Sequence, residues 1–416
     1  MQNIWEKDIN GRFMSFFTSI LKFLSYFLIG DKVMKKIMII FLIAFLFIPC
    51  VVLASEADIT KGASSAVMID YDTGEILYNK NANSHTSVAS LTKMMGLILI
   101  FEKIDDGSIK INEKLTVSKN AKEMGGTQIW LEEGEKISVD DLLKGITMAS
   151  ANDAMVLMAE RVSGTEEAFV KEMNEKAKKL GLKNTNFVNS TGFDEEGGYS
   201  SAYDMALIAR ELIKHEKVLE YTSKYEDYIR ENTENKTWIV NTNKLVRFYK
   251  GVDGLKTGYT EEAGSSIAVT AKKDGLRLIA ISFGYNNTTT RNSEAMALLD
   301  YGYNQYESKS IFSKGKVIKS VKLNKASQSK VNLVLGEDVK ITTKKGNETK
   351  NYTYEIKLNE INYPIKKGEE IGKFYLKDGN KVVREVSLVS DSTIKKAGIF
   401  KQYLRIVENY FTGIVN

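Results

Sequence analysis

Cysteine and histidine are scarce in this chain, and their scarcity excludes several kinds of chemistry. The only cysteine, Cys50, lies inside the most apolar stretch, so a mature chain without that stretch has no thiol. Disulfides, cysteine-ligated zinc and thiol catalysis are thereby excluded from the mature protein. His85 and His215 are the only histidines, so we predict neither a histidine-rich metal site nor any metal or cofactor. A Ser-His-Asp triad, whose usual base is histidine, would have to use one of these two.

No strongly charged block is present either. The formal net charge of +5 is spread along the 416 residues, so nothing predicts a nucleic-acid partner. A mildly basic surface could still favour an anionic lipid or an anionic wall polymer. The hydrophobic content of 43% is enough for at least one large core, and the length leaves room for a smaller second domain.

Residues 1–57 are interpreted as an N-terminal extension and a signal peptide. Lys35 and Lys36 precede an apolar run over 37–48, and small residues follow near Ala54. This arrangement predicts export, with cleavage after about Ala54 or Ala57. The alternative is a membrane-spanning anchor, for which the run is short. Because residues 1–33 carry charges of both signs, our hypothesis is that translation starts at Met34.

Residues 58–310 are predicted to form one domain that contains strands at both ends and helices between them. Two apolar runs flank Tyr71-Asp-Thr-Gly74, which indicates a β-hairpin. The pattern predicts an α/β (α+β) fold with a mostly antiparallel sheet covered by helices. Helical spacing is found over 90–102, 139–147, 154–162, 166–180, 202–214 and 294–303, and further strands are expected at 267–271 and 276–283.

The last hundred residues change character. Short β-type runs separated by Gly and Asn predict a small all-β domain over 311–390. Residues 391–416 then predict an amphipathic helix, with aromatic and aliphatic residues on one face and Lys and Arg on the other. Such a helix suits the membrane interface, although a helix docked on its own protein has the same spacing.

Three short motifs occur in order: Ser90-Leu-Thr-Lys93, Ser150-Ala-Asn152 and Lys256-Thr-Gly258. Penicillin-binding proteins and class A β-lactamases carry this set. Each motif alone is poor evidence, and the order and the local context give the set its meaning.

The first motif suits an activated serine. Ser90 lies where a helix should begin, which places Lys93 one turn later on the same face. Lysine acts as a base only when it is neutral, and this requires burial or a nearby positive charge. Lys256 can supply that charge if the third motif faces the same cleft. With so little histidine, a Ser–Lys pair is the most plausible route to a nucleophilic serine.

The second and third motifs each have a simpler interpretation. Ser150 and Asn152 could relay a proton and bind a substrate backbone, but Ser and Asn also favour helix N-caps. Lys256 and Thr257 could bind a carboxylate, and Gly258 would let the backbone approach a ligand, but the segment could also be an ordinary turn before a strand.

The sequence resembles the low-molecular-mass penicillin-binding proteins, the D-alanyl-D-alanine carboxypeptidase family. The resemblance covers roughly Ala57 to the end of the β domain. It implies a β-lactamase/transpeptidase-like fold, an exported enzyme at the outer face of the cytoplasmic membrane or in the cell wall, a peptidoglycan stem peptide as substrate and β-lactams as covalent inhibitors. Besides the motifs it rests on 181–192, 201–204, 251–258, 363–368 and the terminal helix.

The resemblance also implies roles for the site residues. Ser90 would be the acylated nucleophile and Lys93 its general base, with Ser150 and Lys256 completing the proton relay. The implied substrate-binding residues are Asn152, Lys256, Thr257, Gly258 and Tyr259. Among these, Asn152 would bind the substrate and Thr257 its terminal carboxylate, and the oxyanion would lie between the backbone N–H groups of Ser90 and Tyr259.

Two other functions remain open from the sequence. A β-lactamase uses the same motifs but needs fast deacylation, for which Glu195 and Glu196 lie in the required interval. A catalytically idle wall-binding scaffold would not need an intact motif set.

Overall fold

The structure is a computed structural model that describes residues 58–323, 325–328, 330–347, 351–360 and 363–412. The predicted signal peptide, Cys50 and the predicted start at Met34 therefore lie outside the described residues.

Strands from the two ends of residues 58–310 form a five-stranded antiparallel sheet with the order β2-β1-β9-β8-β7. Its strands are β1 (Ser65–Asp70), β2 (Ile76–Lys80), β7 (Val252–Thr260), β8 (Gly264–Lys273) and β9 (Leu276–Tyr285). The hairpin predicted around Tyr71–Gly74 joins β1 to β2. Every residue of β1 is buried, and β8 and β9 are buried over most of their length. A strand that is apolar on both faces must be covered on both faces, and helices do this here.

Helices cover the two faces of the central sheet and form a helical subdomain beside it. On one face the helix Thr288–Gln305 packs Ala295, Leu298 and Leu299 against β8 and β9, and on the other the helices Lys93–Asp105 and Ala202–Ile213 belong to the larger core. The helices are α1 (Lys93–Asp105), α2 (Lys119–Glu123), α3 (Val139–Lys144), α4 (Asn152–Ser163), α5 (Glu166–Lys179), α6 (Ala202–Ile213), α7 (Lys217–Thr222), α8 (Leu245–Phe248), α9 (Thr288–Gln305) and α10 (Ile399–Thr412).

Two small hairpins and two tight helical turns complete this part of the chain. The hairpins pair β3 (Lys114–Thr116) with β4 (Lys136–Ser138), and β5 (Glu226–Ile229) with β6 (Thr237–Val240). A 3₁₀ turn, Ala89–Thr92, leads into α1, and a π-helical turn, Gly145–Ala149, extends α3. Both turns belong to segments that carry predicted site residues.

The region after α9 is an all-β domain with its own core around Phe374 and Leu388. A second five-stranded antiparallel sheet has the order β11-β12-β16-β15-β14, and β10 pairs with β13. Arg384 connects this domain to the first one, because its guanidinium hydrogen-bonds both the carbonyl and the carboxylate of Asp72. The strands are β10 (Tyr306–Phe312), β11 (Val317–Lys322), β12 (Lys330–Leu335), β13 (Val339–Lys344), β14 (Thr353–Leu358), β15 (Glu370–Asp378) and β16 (Lys381–Ser390).

The last described residues form the amphipathic helix α10, which begins at Ile399 and not at 391 as predicted, because the residues before it lie in bends and isolated β-bridges. Its apolar side chains face outward, with Ile399 89% and Phe400 74% exposed. Arg405 donates hydrogen bonds to the carbonyls of Leu323 and Ala326, which tie one side of α10 to the β domain. Among the described helices, none has the length and apolar character needed to cross a bilayer.

The predicted fold class is confirmed: helices cover a mostly antiparallel sheet, and an all-β domain follows. Two local interpretations are wrong. The Lys256-Thr-Gly258 segment is neither a turn nor a lead-in to a strand, because it lies inside β7. Ser150 and Asn152 do not cap α4, since Ala151 occupies the cap position without a side-chain cap bond.

Candidate active site

Ser90 is held on the 3₁₀ turn that leads into α1. It is half-buried, and the residue before it, Ala89, has a left-handed φ of +47°. Lys93 is the first residue of α1, so three residues of tight helical backbone separate it from Ser90. The Lys93 Nζ donates to Ser90 Oγ at 3.0 Å. The predicted Ser–Lys pair therefore forms, within hydrogen-bonding distance for proton transfer.

The Lys93 side chain is fully buried, and its second hydrogen bond goes to the Thr191 carbonyl at 2.6 Å. Burial lowers the pKa of Lys93 well below its usual range, and the charge of Lys256 lowers this pKa further, while Asp153 opposes both. A buried amine with no carboxylate bonded to it favours the neutral form, which is the form that accepts a proton. The two neutral oxygens that Lys93 contacts are consistent with this state.

Lys256 occupies the middle of β7, opposite Ala268 of β8. Its side chain is buried and its Nζ donates to the Thr257 carbonyl at 2.9 Å. Burial lowers the pKa of Lys256 to about 7, and the charge of Arg291 contributes. The third motif thus lies close enough to the first for its cation to act on Lys93, as predicted.

Two glycines let the surrounding backbone close around Ser90. A Cβ on Gly258 would lie 3.2 Å from the Ser90 nitrogen and 3.0 Å from Leu91. A Cβ on Gly192, which has φ +85°, would overlap the Ala89 carbonyl. Backbone approaches of this kind exclude larger residues. They bring β7 and the 189–194 segment against the turn that carries the serine.

The second motif enters from the helical subdomain. Ser150 follows the π-helical turn with φ +66° and is buried, and that turn contacts β7. Asn152 donates its Nδ2–H to the Gly125 carbonyl at 2.8 Å. A Cβ on Gly126 would lie 2.6 Å from the Asn152 side chain and 3.0 Å from the Phe193 ring. The backbone at Gly126 therefore packs against both Asn152 and the 189–194 segment.

Three groups at the site were not predicted from the sequence. Arg291 of α9 is buried and hydrogen-bonds Ser265 and Asn292. Asp194 accepts from Ser87 at 2.5 Å and from Thr260 at 3.0 Å, which connects the end of β7 to the loop before Ser90.

The third is the Thr191 carbonyl. A backbone oxygen has no signature in the sequence, and Arg291 lies in an ordinary helical pattern. Only the packing of α9 on β8 places this arginine near Lys256. As for metals, the described residues include no cluster of three or more His, Cys, Asp or Glu that could hold an ion.

The site consists of a serine that is hydrogen-bonded to a buried lysine, on a turn beside an antiparallel strand. This arrangement defines the active-serine class of acyl-transfer enzymes. Comparison with known proteins gives the family. Residues 51–287 match the family described as D-alanyl-D-alanine carboxypeptidase, and residues 306–396 match the penicillin-binding protein 5 C-terminal domain. The chain belongs to the serine peptidase family S11, the low-molecular-mass penicillin-binding proteins. It is therefore a serine hydrolase.

Individual relatives agree with this assignment. D-alanyl-D-alanine carboxypeptidase DacF of Bacillus subtilis is 48% identical over 343 residues, which are 82% of this chain and 88% of the relative. Penicillin-binding protein 5 of Haemophilus influenzae has a structure with a TM-score of 0.62 and 29% identity, covering 80% of this chain and 98% of that one. Penicillin-binding protein D2 of Listeria monocytogenes, in its ampicillin-bound form, has a TM-score of 0.53 and 33% identity, covering 58% and 98%.

Proposed function

We propose that this chain removes the terminal D-alanine from peptidoglycan stem pentapeptides through an acyl-enzyme on Ser90. The observation that carries the proposal is the 3.0 Å hydrogen bond between Lys93 Nζ and Ser90 Oγ in a buried setting that lowers the pKa of Lys93. A neutral amine in this position can take the serine proton as attack begins.

Acylation follows from this geometry. The Ser90 oxygen forms a bond to the carbonyl carbon of the penultimate D-alanine while its proton passes to Lys93. The carbon–nitrogen bond then breaks, and the proton held by Lys93 passes through Ser150 and Lys256 to the nitrogen of the leaving D-alanine, which leaves Lys93 neutral again. Water next attacks the ester and gives a proton to Lys93, which returns it to the Ser90 oxygen as the ester bond breaks and the shortened peptide leaves.

The oxyanion of each tetrahedral intermediate needs donors beside Ser90. We assign the backbone N–H groups of Ser90 and Tyr259, because β7 approaches the serine closely at Gly258. Pre-positioned backbone donors stabilise a developing oxyanion without reorganisation, and removal of one such donor typically slows catalysis by about 10²–10³-fold.

The terminal carboxylate needs a positive environment. Lys256 and Arg291 are both buried near β7, and burial, with a further contribution from the Arg291 charge, lowers the pKa of Lys256. Two buried cations without a carboxylate bonded to either are stabilised when an anion binds between them. Thr257, also buried in β7, supplies a hydroxyl for the same carboxylate, and Asn152 supplies an amide for the peptide backbone.

β-Lactams are proposed to acylate the same serine, because a strained cyclic amide with a nearby carboxylate presents the same two groups as D-alanyl-D-alanine. A β-lactamase is less well supported. Glu195 and Glu196 are exposed, and the Glu195 carboxylate accepts a hydrogen bond from Asn189 at 3.2 Å. A glutamate that is exposed to solvent and hydrogen-bonded to Asn189 is poorly placed to activate a deacylating water.

We further propose that the enzyme is exported and rests on the outer face of the membrane through α10. Support comes from the lysines and apolar run of residues 35–48 and from the exposed apolar side of α10. Exchanging Ile399 and Phe400 for Glu should abolish cosedimentation with anionic phosphatidylglycerol vesicles, whereas Val382→Glu, at an exposed site on β16, should not. Equal binding by all three proteins would contradict the membrane assignment.

The enzymatic proposal is tested with the chain starting at Asp58 and a diacyl-Lys-D-Ala-D-Ala tripeptide. Released D-alanine should be lost in Ser90→Ala and in penicillin-treated enzyme. No release together with rapid turnover of penicillin would indicate a β-lactamase. A folded protein with neither activity would leave a non-catalytic wall scaffold.

A further inference from the structure

Trp130 is a large aromatic residue in an unfavourable position. Its side chain is 74% exposed, and its backbone has a left-handed φ of +58°. A bulky residue rarely adopts this conformation, which glycine or asparagine would adopt more easily. Backbone strain of this kind persists only where the surroundings enforce it, and such positions cluster at functional sites.

The surroundings of Trp130 do enforce it, from both sides. The buried Asp153 carboxylate accepts the N–H of Ile129 and the N–H of Leu131, each at 3.1 Å. The buried Arg230 guanidinium donates to the carbonyl of Ile129 at 3.0 Å and to that of Trp130 at 3.2 Å.

Arg230 is itself fixed, because two of its nitrogens donate to the Glu135 carboxylate at 2.5 and 3.0 Å. The pair orients the guanidinium towards the loop. An exposed side chain contributes little to folding, so this buried support makes sense if the indole must be presented to a ligand in a fixed orientation.

The loop that carries Trp130 is part of the active-site wall. The main-chain N–H of Asn152 donates to the Thr127 carbonyl at 2.7 Å, and its side chain donates to Gly125. Asp153, which holds Trp130, is the next residue after Asn152. In the proposed binding mode the terminal carboxylate lies at β7 and Asn152 binds the peptide backbone, so the loop that is hydrogen-bonded to Asn152 borders the residues upstream of the scissile bond.

We propose that Trp130 is a specificity-determining residue, whose indole packs against the long side chain of the residue that precedes D-Ala-D-Ala in the stem peptide. This inference rests on the proposed function. A rigid aromatic ring offers a large contact area at a low cost in conformational entropy, and its face also attracts an ammonium group at the end of such a side chain.

The test compares tripeptides N-acyl-X-D-Ala-D-Ala in which X is Lys, Nε-acetyl-Lys or Ala. Trp130→Ala should raise KM for the two long side chains by about fivefold. It should leave KM for the Ala substrate, kcat and the rate of penicillin acylation unchanged. Trp238→Ala, at another exposed tryptophan on β6, is the matched control and should leave every value unchanged.

A spectroscopic readout is independent of turnover. The chain has three tryptophans, and a protein starting at Asp58 retains only Trp130 and Trp238. In a Ser90→Ala, Trp238→Phe background, Trp130 is the single reporter. Its emission should shift and its quenching by acrylamide should fall when the Lys tripeptide is added, whereas the Ser90→Ala, Trp130→Phe protein should show neither change.

The outcomes separate this inference from the proposed function. Absence of D-alanine release by the unmutated enzyme would remove the proposed function itself. Intact D-alanine release with an unchanged preference for the Lys over the Ala substrate in Trp130→Ala would overturn the role of Trp130. A preference that is lost only with peptides linked to the disaccharide would overturn it as well. Trp130→Gly should keep a thermal midpoint at least as high as wild type while losing the preference, which a purely structural role would not produce.

Discussion

The two five-stranded sheets of this protein differ in whether they bury a lysine side chain. The central sheet is covered on both faces, and β1, β8 and β9 are buried almost throughout. The sheet of the β domain is buried mainly on one face, and its β16 alternates between buried and half-buried residues near its end. An antiparallel sheet can leave one face in water, so only the doubly covered one can keep a cation away from solvent.

Lys256 and Lys373 illustrate the difference. Lys256 on β7 is buried without a carboxylate partner, and burial lowers its pKa to about 7. Lys373 on β15 is partly exposed; burial lowers its pKa, but the hydrogen bond to Glu370 at 2.9 Å and the charges of Glu370 and Glu385 together raise it above its usual value. The same residue type therefore has a lowered pKa in one sheet and a raised pKa in the other, because of what covers each strand.

The largest expected effect comes from removing the buried amine beside the serine. Lys93→Met should lower kcat/KM for D-alanine release by about 10³-fold, because the general base is lost. Lys373→Met should leave kcat/KM unchanged and alter the free energy of unfolding by less than about 1 kcal/mol. Circular dichroism would establish that both variants fold. A Lys93→Met enzyme that kept more than a tenth of its activity would show that the Ser–Lys pair is not the reacting pair.

A second contrast concerns two glycines with left-handed backbones. Gly192, at φ +85°, abuts the Ala89 carbonyl, whereas Gly346, at φ +81°, faces open space in the β domain. Gly346→Ala should cost about 1–2 kcal/mol of unfolding free energy, since only the backbone is strained. Gly192→Ala adds a steric overlap and should cost about 3 kcal/mol or more.

Urea unfolding measures both glycine variants, and penicillin acylation reports on the serine. We expect Gly192→Ala to lose acylation as well, because the overlap displaces the turn that carries Ser90. Equal stability losses in the two variants would mean that the 189–194 segment does not press against this turn.

The smallest effect is a pH dependence of stability. Between about pH 7 and 10.5 the unfolded chain binds a proton at Lys256 that the folded protein does not, so the free energy of unfolding rises with pH, by at most about 1.4 kcal/mol per unit. From pH 7.5 to 9.5, Lys256→Met should therefore gain about 1–3 kcal/mol less stability than wild type.

Lys373→Met is the control for this pH series. The pKa of Lys373 in the folded protein is raised rather than lowered. Removing this lysine should therefore leave the slope of unfolding free energy against pH unchanged between pH 7.5 and 9.5. Parallel curves for wild type and Lys256→Met would show that Lys256 remains protonated in the folded protein across this range.

Much of the catalytic domain was predictable because its signals are local. Helix-forming residues after Ser90 predicted α1 and the position of Lys93 on the same face. Alternating apolar runs predicted β8, β9 and most of the β domain. The strand β7 was missed, because Gly254 and Gly258 make its sequence resemble a turn, and only pairing with β8 shows that it is a strand. The alternative in which Ser150 and Asn152 cap a helix is wrong for a related reason, since the Asn152 side chain hydrogen-bonds the Gly125 carbonyl, which is distant along the chain.

Composition and motif order already limit the groups that can react: with one cysteine in the predicted signal peptide and two histidines, a serine and lysines in ordered motifs remain. The burial of Lys93, the proximity of Arg291 to Lys256 and the hydrogen bonds of Asp153 and Arg230 to the backbone around Trp130 appear only in the folded protein. Motif spacing is set along the chain, whereas burial and charge proximity depend on which surfaces pack together.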